Sequence, residues 1–173
     1  SGKWKNENLE LYILSGDRDL FQLVRGDVKV CLPSGNFSNL LEYDRENVFK
    51  TFGVYPEQVV DYKAIVGDVS DNIPGVKGVG DKTVIELLKE YGDFDTIYKN
   101  LTRLKPRLQV LLGEGIEQAE LSRKLAKIDQ DMDVDIYLES CLMKDFDRKN
   151  VLELFRKFKF KSLVARLDDI FGK

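Results

Sequence analysis

The sequence predicts an α/β chain in which the remnant of a mixed or parallel sheet, over residues 9–40, precedes a mainly helical subdomain. Three observations carry that expectation. Residues 9–14, Leu-Glu-Leu-Tyr-Ile-Leu, form a short apolar run closed by Ser15-Gly16-Asp17, the pattern of a buried strand. Residues 28–37 read as a hairpin, with Pro33-Ser34-Gly35-Asn36 supplying turn residues. Beyond residue 44, apolar side chains recur at helical spacing almost to the C-terminus. With 43% hydrophobic residues in 173, the chain can bury a substantial core.

Taken in order, the strand at 9–14 leads into a short helix over Asp-Leu-Phe-Gln-Leu-Val and then the hairpin. Asp44 is a suitable N-cap for a helix carrying Val48, Phe49 and Phe52 on one face and ending at Gly53. Pro56 opens the next helix, with Val59, Tyr62, Ile65 and Val66 at helical spacing up to Gly67. After a glycine-rich loop, Val84, Ile85, Leu87, Leu88 and Tyr91 mark a helix with Gly92 as its C-cap. Later stripes are Leu104/Leu108/Leu111, Leu121/Leu125/Ile128, Val151/Leu154/Phe155/Phe158 and Leu163/Val164/Leu167, and residues 133–138 alternate like an edge strand. The expected division is 1–43 and 44–173. A strand so near the N-terminus needs sheet neighbours, so the chain reads as part of something longer, with Ser1-Gly2 as a cut start.

Composition removes several chemistries. There is no histidine, which excludes Ser-His-Asp and Cys-His nucleophile systems and histidine-bound zinc. Cys31 and Cys141 alone make neither a zinc site nor a secreted disulfide scaffold, and a reducing cytoplasm is expected. No apolar run approaches the ~20 residues of a membrane span, so no membrane partner is expected. A net charge of -3, from 27 basic and 30 acidic residues, argues against a generally basic nucleic-acid coat and leaves room for a local one.

The chemistry concentrates in Gly-Asp-Val-Ser-Asp-Asn-Ile-Pro-Gly-Val-Lys-Gly-Val-Gly-Asp-Lys-Thr, residues 67–83. Gly75, Gly78 and Gly80 permit positive φ and carry no Cβ to hold a ligand away. The following helix begins near Asp81 and points its free N–H groups toward the loop. Helix, glycine hairpin, helix is an arrangement that grips a nucleic-acid phosphate without reading bases, and Lys77 and Lys82 add charge beside it. A nucleotide-binding P-loop is the rival, since Gly75 to Gly80 fits its glycine spacing. Asp81 separates the last glycine from Lys82-Thr83, however, and a helix rather than a strand precedes the loop. A plain helix–helix turn is the other alternative.

Asp68 and Asp71 read singly as turn acids. Asp17 and Asp19 form a second pair at the carboxyl end of the first strand, where open α/β sheets place ligands, with surface turn acids as the alternative. Clustered carboxylates without thiol or imidazole favour Mg²⁺ or Mn²⁺, and two such ions roughly 4 Å apart can clamp an in-line phosphoryl displacement. Two further basic stretches are weighed. Lys-Phe-Lys-Phe-Lys at 157–161 alternates like a nucleic-acid ribbon, but Phe155, Phe158 and Val164 fit a core-facing helix stripe. Residues 99–107 are basic without an acid, either a phosphate-facing surface or a solvated linker.

The segment Ile-Leu-Ser-Gly-Asp-Arg-Asp-Leu-Phe-Gln-Leu-Val together with residues 55–92 resembles the 5′-nuclease domain of bacterial DNA polymerase I, in the flap endonuclease superfamily, over about residues 9–171. The resemblance implies a metal-dependent hydrolase cutting DNA phosphodiesters at 5′ ends and flaps during replication and repair. It implies that Asp17, Asp19, Asp68 and Asp71 serve two active-site Mg²⁺ or Mn²⁺ ions. It also makes 56–91 a helix–hairpin–helix (helix-three-turn-helix) whose Gly75, Val76, Lys77, Gly78, Val79, Gly80, Lys82 and Thr83 hold duplex or branched DNA, with potassium bound near Val76 and Val79. Gly75 stands where some relatives offer a serine to that ion. The family's first strand, its helical arch and an acidic Glu-x-Asp-Asp cluster have no counterpart here. Residues 1–43 then correspond to the C-terminal part of the nuclease core, and the expected properties are a monomer that binds DNA and does not cleave alone. A non-catalytic DNA-binding module retaining only the hairpin is the alternative.

Overall fold

The computed structural model describes residues 9–34, 36–135, 137 and 147–171. Three strands, β1 (Leu11–Leu14), β2 (Val28–Ser34) and β3 (Asn36–Tyr43), form one sheet in that order. β1 pairs parallel with β2, from Leu11 opposite Val28 to Leu14 opposite Cys31. β2 and β3 are the expected antiparallel hairpin, Val30 opposite Tyr43, with a register shift at Pro33/Ser34, where the missing proline N–H suits a break in the ladder.

The parallel step from β1 to β2 needs a crossover, and a 3-10 helix, Arg18–Leu23, provides it. Its Phe21 is fully buried, 4.6 Å from the Tyr43 ring and 5.6 Å edge-on from Phe52. Those rings join the sheet to helix α1 (Arg45–Phe52), which Asp44 caps by accepting the Asn47 N–H at 2.8 Å and Gly53 ends at φ 78°. The expected helix at Pro56 begins as a 3-10 turn, Pro56–Gln58, and continues as α2 (Val59–Val66) up to Gly67. The sheet, α1, α2, α3 (Asp81–Tyr91) and the next three helices share one hydrophobic core, running from Phe21 and Val30 to Leu112 and Ala119.

Gln58 ties the start of α2 to the end of α3, donating to the carbonyls of Leu88 (3.1 Å) and Gly92 (2.7 Å). The Gly92 carbonyl, just past α3, gains a partner, and the Leu88 carbonyl, which also accepts the Gly92 N–H at 2.9 Å, gains a second. A short helix that periodicity did not reveal, α4 (Phe94–Lys99), follows, capped by Asp93 through the Thr96 N–H at 2.7 Å. Then come a 3-10 turn at Leu101–Arg103, α5 (Pro106–Glu114) and α6 (Ile116–Ala126).

Three sequence expectations need correction. β1 is not buried: Leu11, Tyr12 and Leu14 are 40%, 49% and 63% exposed, because β1 is the end strand of this sheet and little packs over it among the described residues. The stripe Leu121/Leu125/Ile128 does not face the core. Helix α6 instead packs along α2 and buries Ala119, Ser122 and Ala126, leaving Leu121 and Leu125 outward. Small side chains allow the close approach, and the leucines do not fit it. Residues 133–135 form no strand, while Ile136 and Leu138 lie outside the described residues, as do Gly35 and Cys141.

The chain from Met132 onward forms its own compact unit. It contains α7 (Arg148–Lys157), capped by Asp147 through the Asn150 N–H at 3.1 Å, and α8 (Lys161–Phe171). Lys157–Lys161 is therefore the joint between two helices, not a ribbon. Phe158 is 55% exposed and rests on Phe160 at 5.7 Å, so the expected core-facing stripe is only half buried. Among the described residues no helix is long and apolar enough to cross a membrane.

Candidate metal centre and nucleic-acid interface

Asp17 and Asp19 lie just past the carboxyl end of β1, at the start of the crossover. Asp17 caps the 3-10 helix, its Oδ1 accepting the Asp19 N–H at 2.9 Å. That cap turns Asp19 inward, to a side-chain exposure of 19%. Asp68 follows Gly67, whose φ of 85° breaks α2. The loop 68–73 closes on itself through two backbone bonds of 2.8 Å between Asp68 and Ile73, and the positive φ of Asn72 makes the turn. Ser70 donates both its N–H (2.9 Å) and its hydroxyl (2.5 Å) to Asp68 Oδ1.

Two distant segments thus converge. One carboxylate oxygen from each of Asp19, Asp68 and Asp71 lies within 4.8 Å of the others. Asp17 is outside that cluster but lines the same open cleft of about 570 Å³, as do Lys63 and Asp81. Lys63, 5% exposed on α2, holds Asp19 by an ion pair and Asp68 Oδ2 at 2.5 Å. The Lys63 ammonium, with the Ser70 hydroxyl, holds the Asp68 carboxyl down to about 2. Opposite, Tyr62 donates to Asp81 Oδ1 at 3.0 Å, and burial together with that bond pushes the phenol up to about 12.

Sequence reasoning passed over Lys63 and Asp81. Lys63 had a readable signal, a cation within the otherwise apolar Ala64-Ile65-Val66 end of a helix, five residues before Asp68. Asp81 entered as the start of a helix and as the residue that spoils a P-loop, not as part of the site. It occupies the first turn of α3, and a helix, α2, precedes the loop, which removes the nucleotide-binding alternative's strand–loop–helix context.

The hairpin is built onto the end of α2. The Val76 N–H donates to the Ile65 carbonyl at 2.7 Å, and the Gly75 N–H donates to Ser122 Oγ at 3.0 Å. Ser122, fully buried on α6, donates its own hydroxyl to the Gln118 carbonyl at 2.8 Å. Gly75 has φ 61°, and a Cβ there would lie 2.3 Å from the Gly67 nitrogen, so only glycine fits. Gly78 is also left-handed at φ 87°, whereas Gly80 is extended at φ -105°, a correction to the expectation of three such glycines. Val76 and Val79 turn into the core. What faces solvent is Lys77, Gly78, Gly80 and Lys82, with Thr83 half buried, at the positive end of α3.

The donor set fits a hard divalent cation: carboxylate oxygens, held close together, without thiol or imidazole. Comparisons with known proteins point the same way. A family model described as 5'-3' exonuclease, C-terminal SAM fold, matches residues 54–149. DNA polymerase I of Caldicellulosiruptor bescii is 41% identical over 167 residues, 95% of this chain and 20% of that protein. The 5'-3' exonuclease of Mycoplasma pneumoniae is 37% identical over 164 residues, 94% of this chain and 56% of that protein. A solved T5 5'-exonuclease with bound divalent metal ions (zinc) is 26% identical with a TM-score of 0.57, covering 68% of this chain and 42% of that one. The D15 flap endonuclease of bacteriophage T5, in a pseudo-enzyme–product complex with DNA and metal ions, gives the same identity and TM-score, covering 67% of this chain and 41% of that one. The chain thus spans about a fifth of its DNA polymerase I relative and little more than half of the shorter exonuclease. With more than half of its residues matched by that family model and its fold shared with T5 exonuclease, the chain belongs to the 5'-3' exonuclease family.

Proposed function

We propose that this chain is the acid-bearing, DNA-gripping part of a structure-specific 5'-3' exonuclease and flap endonuclease, of the kind found in DNA polymerase I. The observation that carries this reading is the convergence of Asp19, Asp68 and Asp71 within 4.8 Å, beside a hairpin whose backbone is exposed. Asp19, Asp68 and Asp71 hold Mg²⁺ or Mn²⁺, with Asp17 on the cleft wall, and a complete site takes two such ions. Bound there, they would activate water and neutralise charge on the scissile phosphate. The hairpin binds a different phosphate of the duplex behind the 5′ end or flap: backbone N–H groups around Gly78 and Gly80 approach without a Cβ between, and Lys77 and Lys82 supply charge. Thr83 and the Gly75–Val79 turn hold that loop in shape, and the carbonyls of Val76 and Val79 are the potassium ligands of this reading. Asp81 of α3 also lines the cleft, so the metal end and the grip share one helix.

In this reading the chain binds DNA as a monomer and does not cleave by itself, since three clustered carboxylates are few for two hard divalent ions. The test is flap DNA with Mg²⁺. The chain alone binds without cutting, and Lys82→Ala weakens binding several-fold, about the worth of one phosphate contact. Within the longer nuclease, Asp68→Ala abolishes cleavage and spares binding. Cutting by the isolated chain at the rate of an intact nuclease sinks the reading. A second reading, a DNA-binding module without catalysis, draws on Lys63, which already pairs with both Asp19 and Asp68 without a metal. It requires that Asp68→Ala leave the longer protein's activity unchanged.

A further inference from the structure

Lys63 stands where a buried lysine is costly. Its neighbours on α2, Ala64 and Ile65, are fully buried, and Lys63 itself is 5% exposed. An ammonium in such surroundings persists only when paired, and the pair here is Asp19 with Asp68. Those are two of the three acids whose oxygens converge within 4.8 Å. Three carboxylates so close repel one another unless a cation lies among them. Lysine is a compact charge on a flexible stem, and a hard divalent ion demands the same oxygens at shorter range.

We infer that Lys63 is an exchangeable internal counter-ion. It holds Asp19 and Asp68 in place when no divalent ion is bound, and it yields their oxygens when one arrives. The displaced side chain turns into the open cleft that it lines. The cleft stays shaped without metal, at the expense of affinity, because each incoming ion must displace a cation already seated. This inference rests on the reading of Asp19, Asp68 and Asp71 as metal ligands.

The experiment follows Mn²⁺ binding by loss of the free-ion electron paramagnetic resonance signal, with thermal melting in EDTA and in Mn²⁺, for the 173-residue chain and for Lys63→Met. The variant should melt below the wild type in EDTA, bind Mn²⁺ about tenfold more tightly, since nothing competes for the carboxylates, and recover its melting temperature when Mn²⁺ is added. A variant that binds no more tightly than the wild type overturns the exchange and leaves the metal-site reading intact. A wild type that takes up no Mn²⁺ overturns both.

A second measurement needs no folded Lys63→Met. In ¹⁵N-lysine wild-type protein, the Lys63 side-chain nitrogen resonance, assigned by its loss in Lys63→Arg, should move or enter fast solvent exchange as Mg²⁺ saturates the chain. A resonance unmoved at a Mg²⁺ concentration that shifts the Asp68 and Asp71 amides overturns the inference.

Discussion

Gly75 shows how much one missing carbon decides. Its φ of 61° lies in the left-handed region, and its Cα faces the Gly67 nitrogen so closely that a Cβ would stand 2.3 Å away. Backbone against backbone cannot yield as a side-chain tip can, so the hairpin and the acid loop after α2 are pressed together at this point. Gly75→Ala should therefore damage both ends at once. We expect a loss of about 2–4 kcal/mol in stability, from overpacking and the strained φ together, measured by urea unfolding, and weaker DNA binding at temperatures where the variant remains folded. Unchanged stability would mean that the two loops are not in register. The residue scale also places Asp17, which the family resemblance implies as a ligand: its Oδ1 caps the turn that aims Asp19 at the cleft, and Asp17 lines that cleft too. Spacing alone could not separate the acid that caps from the acid that points inward, because that depends on which way a 3-10 turn leaves the strand.

At the scale of elements, α2 organises the site. One of its faces packs on α6, its last turn carries Lys63 with Gly67 as the C-cap, and its first turn carries Asp61. Asp61 is 6% exposed, accepts the Phe94 N–H at 3.0 Å and pairs with Arg123 Nε at 2.9 Å. Burial raises its carboxyl above the usual range, and Phe94 and Arg123 pull the other way. This acid binds three helices together and stands apart from the Asp19–Asp68–Asp71 cluster, so its removal separates structure from function. Asp61→Ala should cost about 2–4 kcal/mol, by leaving the Phe94 N–H without its acceptor and stripping Arg123 of a partner, read by chemical denaturation. Mn²⁺ affinity of the folded fraction should stay unchanged. Element boundaries were legible wherever a cap announces them, as at Asp44, Gly53, Pro56 and Gly92. The orientation of α6 was not, because hydrophobic periodicity ranks leucine above alanine. The contact with α2 selects by size, and Ala119, Ser122 and Ala126 win it.

For the molecule as a whole, net charge is -3, so on the proposed reading DNA would be attracted only by local features of the surface. Affinity should then be modest and strongly dependent on salt. Lys77→Ala and Lys82→Ala should each reduce the slope of log affinity against log salt concentration by about 1, with little dependence on base sequence. A filter-binding or anisotropy titration across ionic strength checks this, and slopes unchanged in both variants would remove the hairpin from the interface.

The order of residues by itself determined the strand–hairpin–helix succession, the glycine hairpin between two helices, and the two acid pairs with their hard-metal chemistry. Those depend on local preferences: glycine φ, side-chain caps, periodicity and the lack of histidine. Only the tertiary structure decided that Asp19 meets Asp68 and Asp71 while Asp17 stays at the wall, that Lys63 lies between the acids, that Ser122 supports Gly75, and that β1 is exposed. The first three depend on contacts between segments far apart along the chain and the last on how little packs over β1, and no local pattern encodes either.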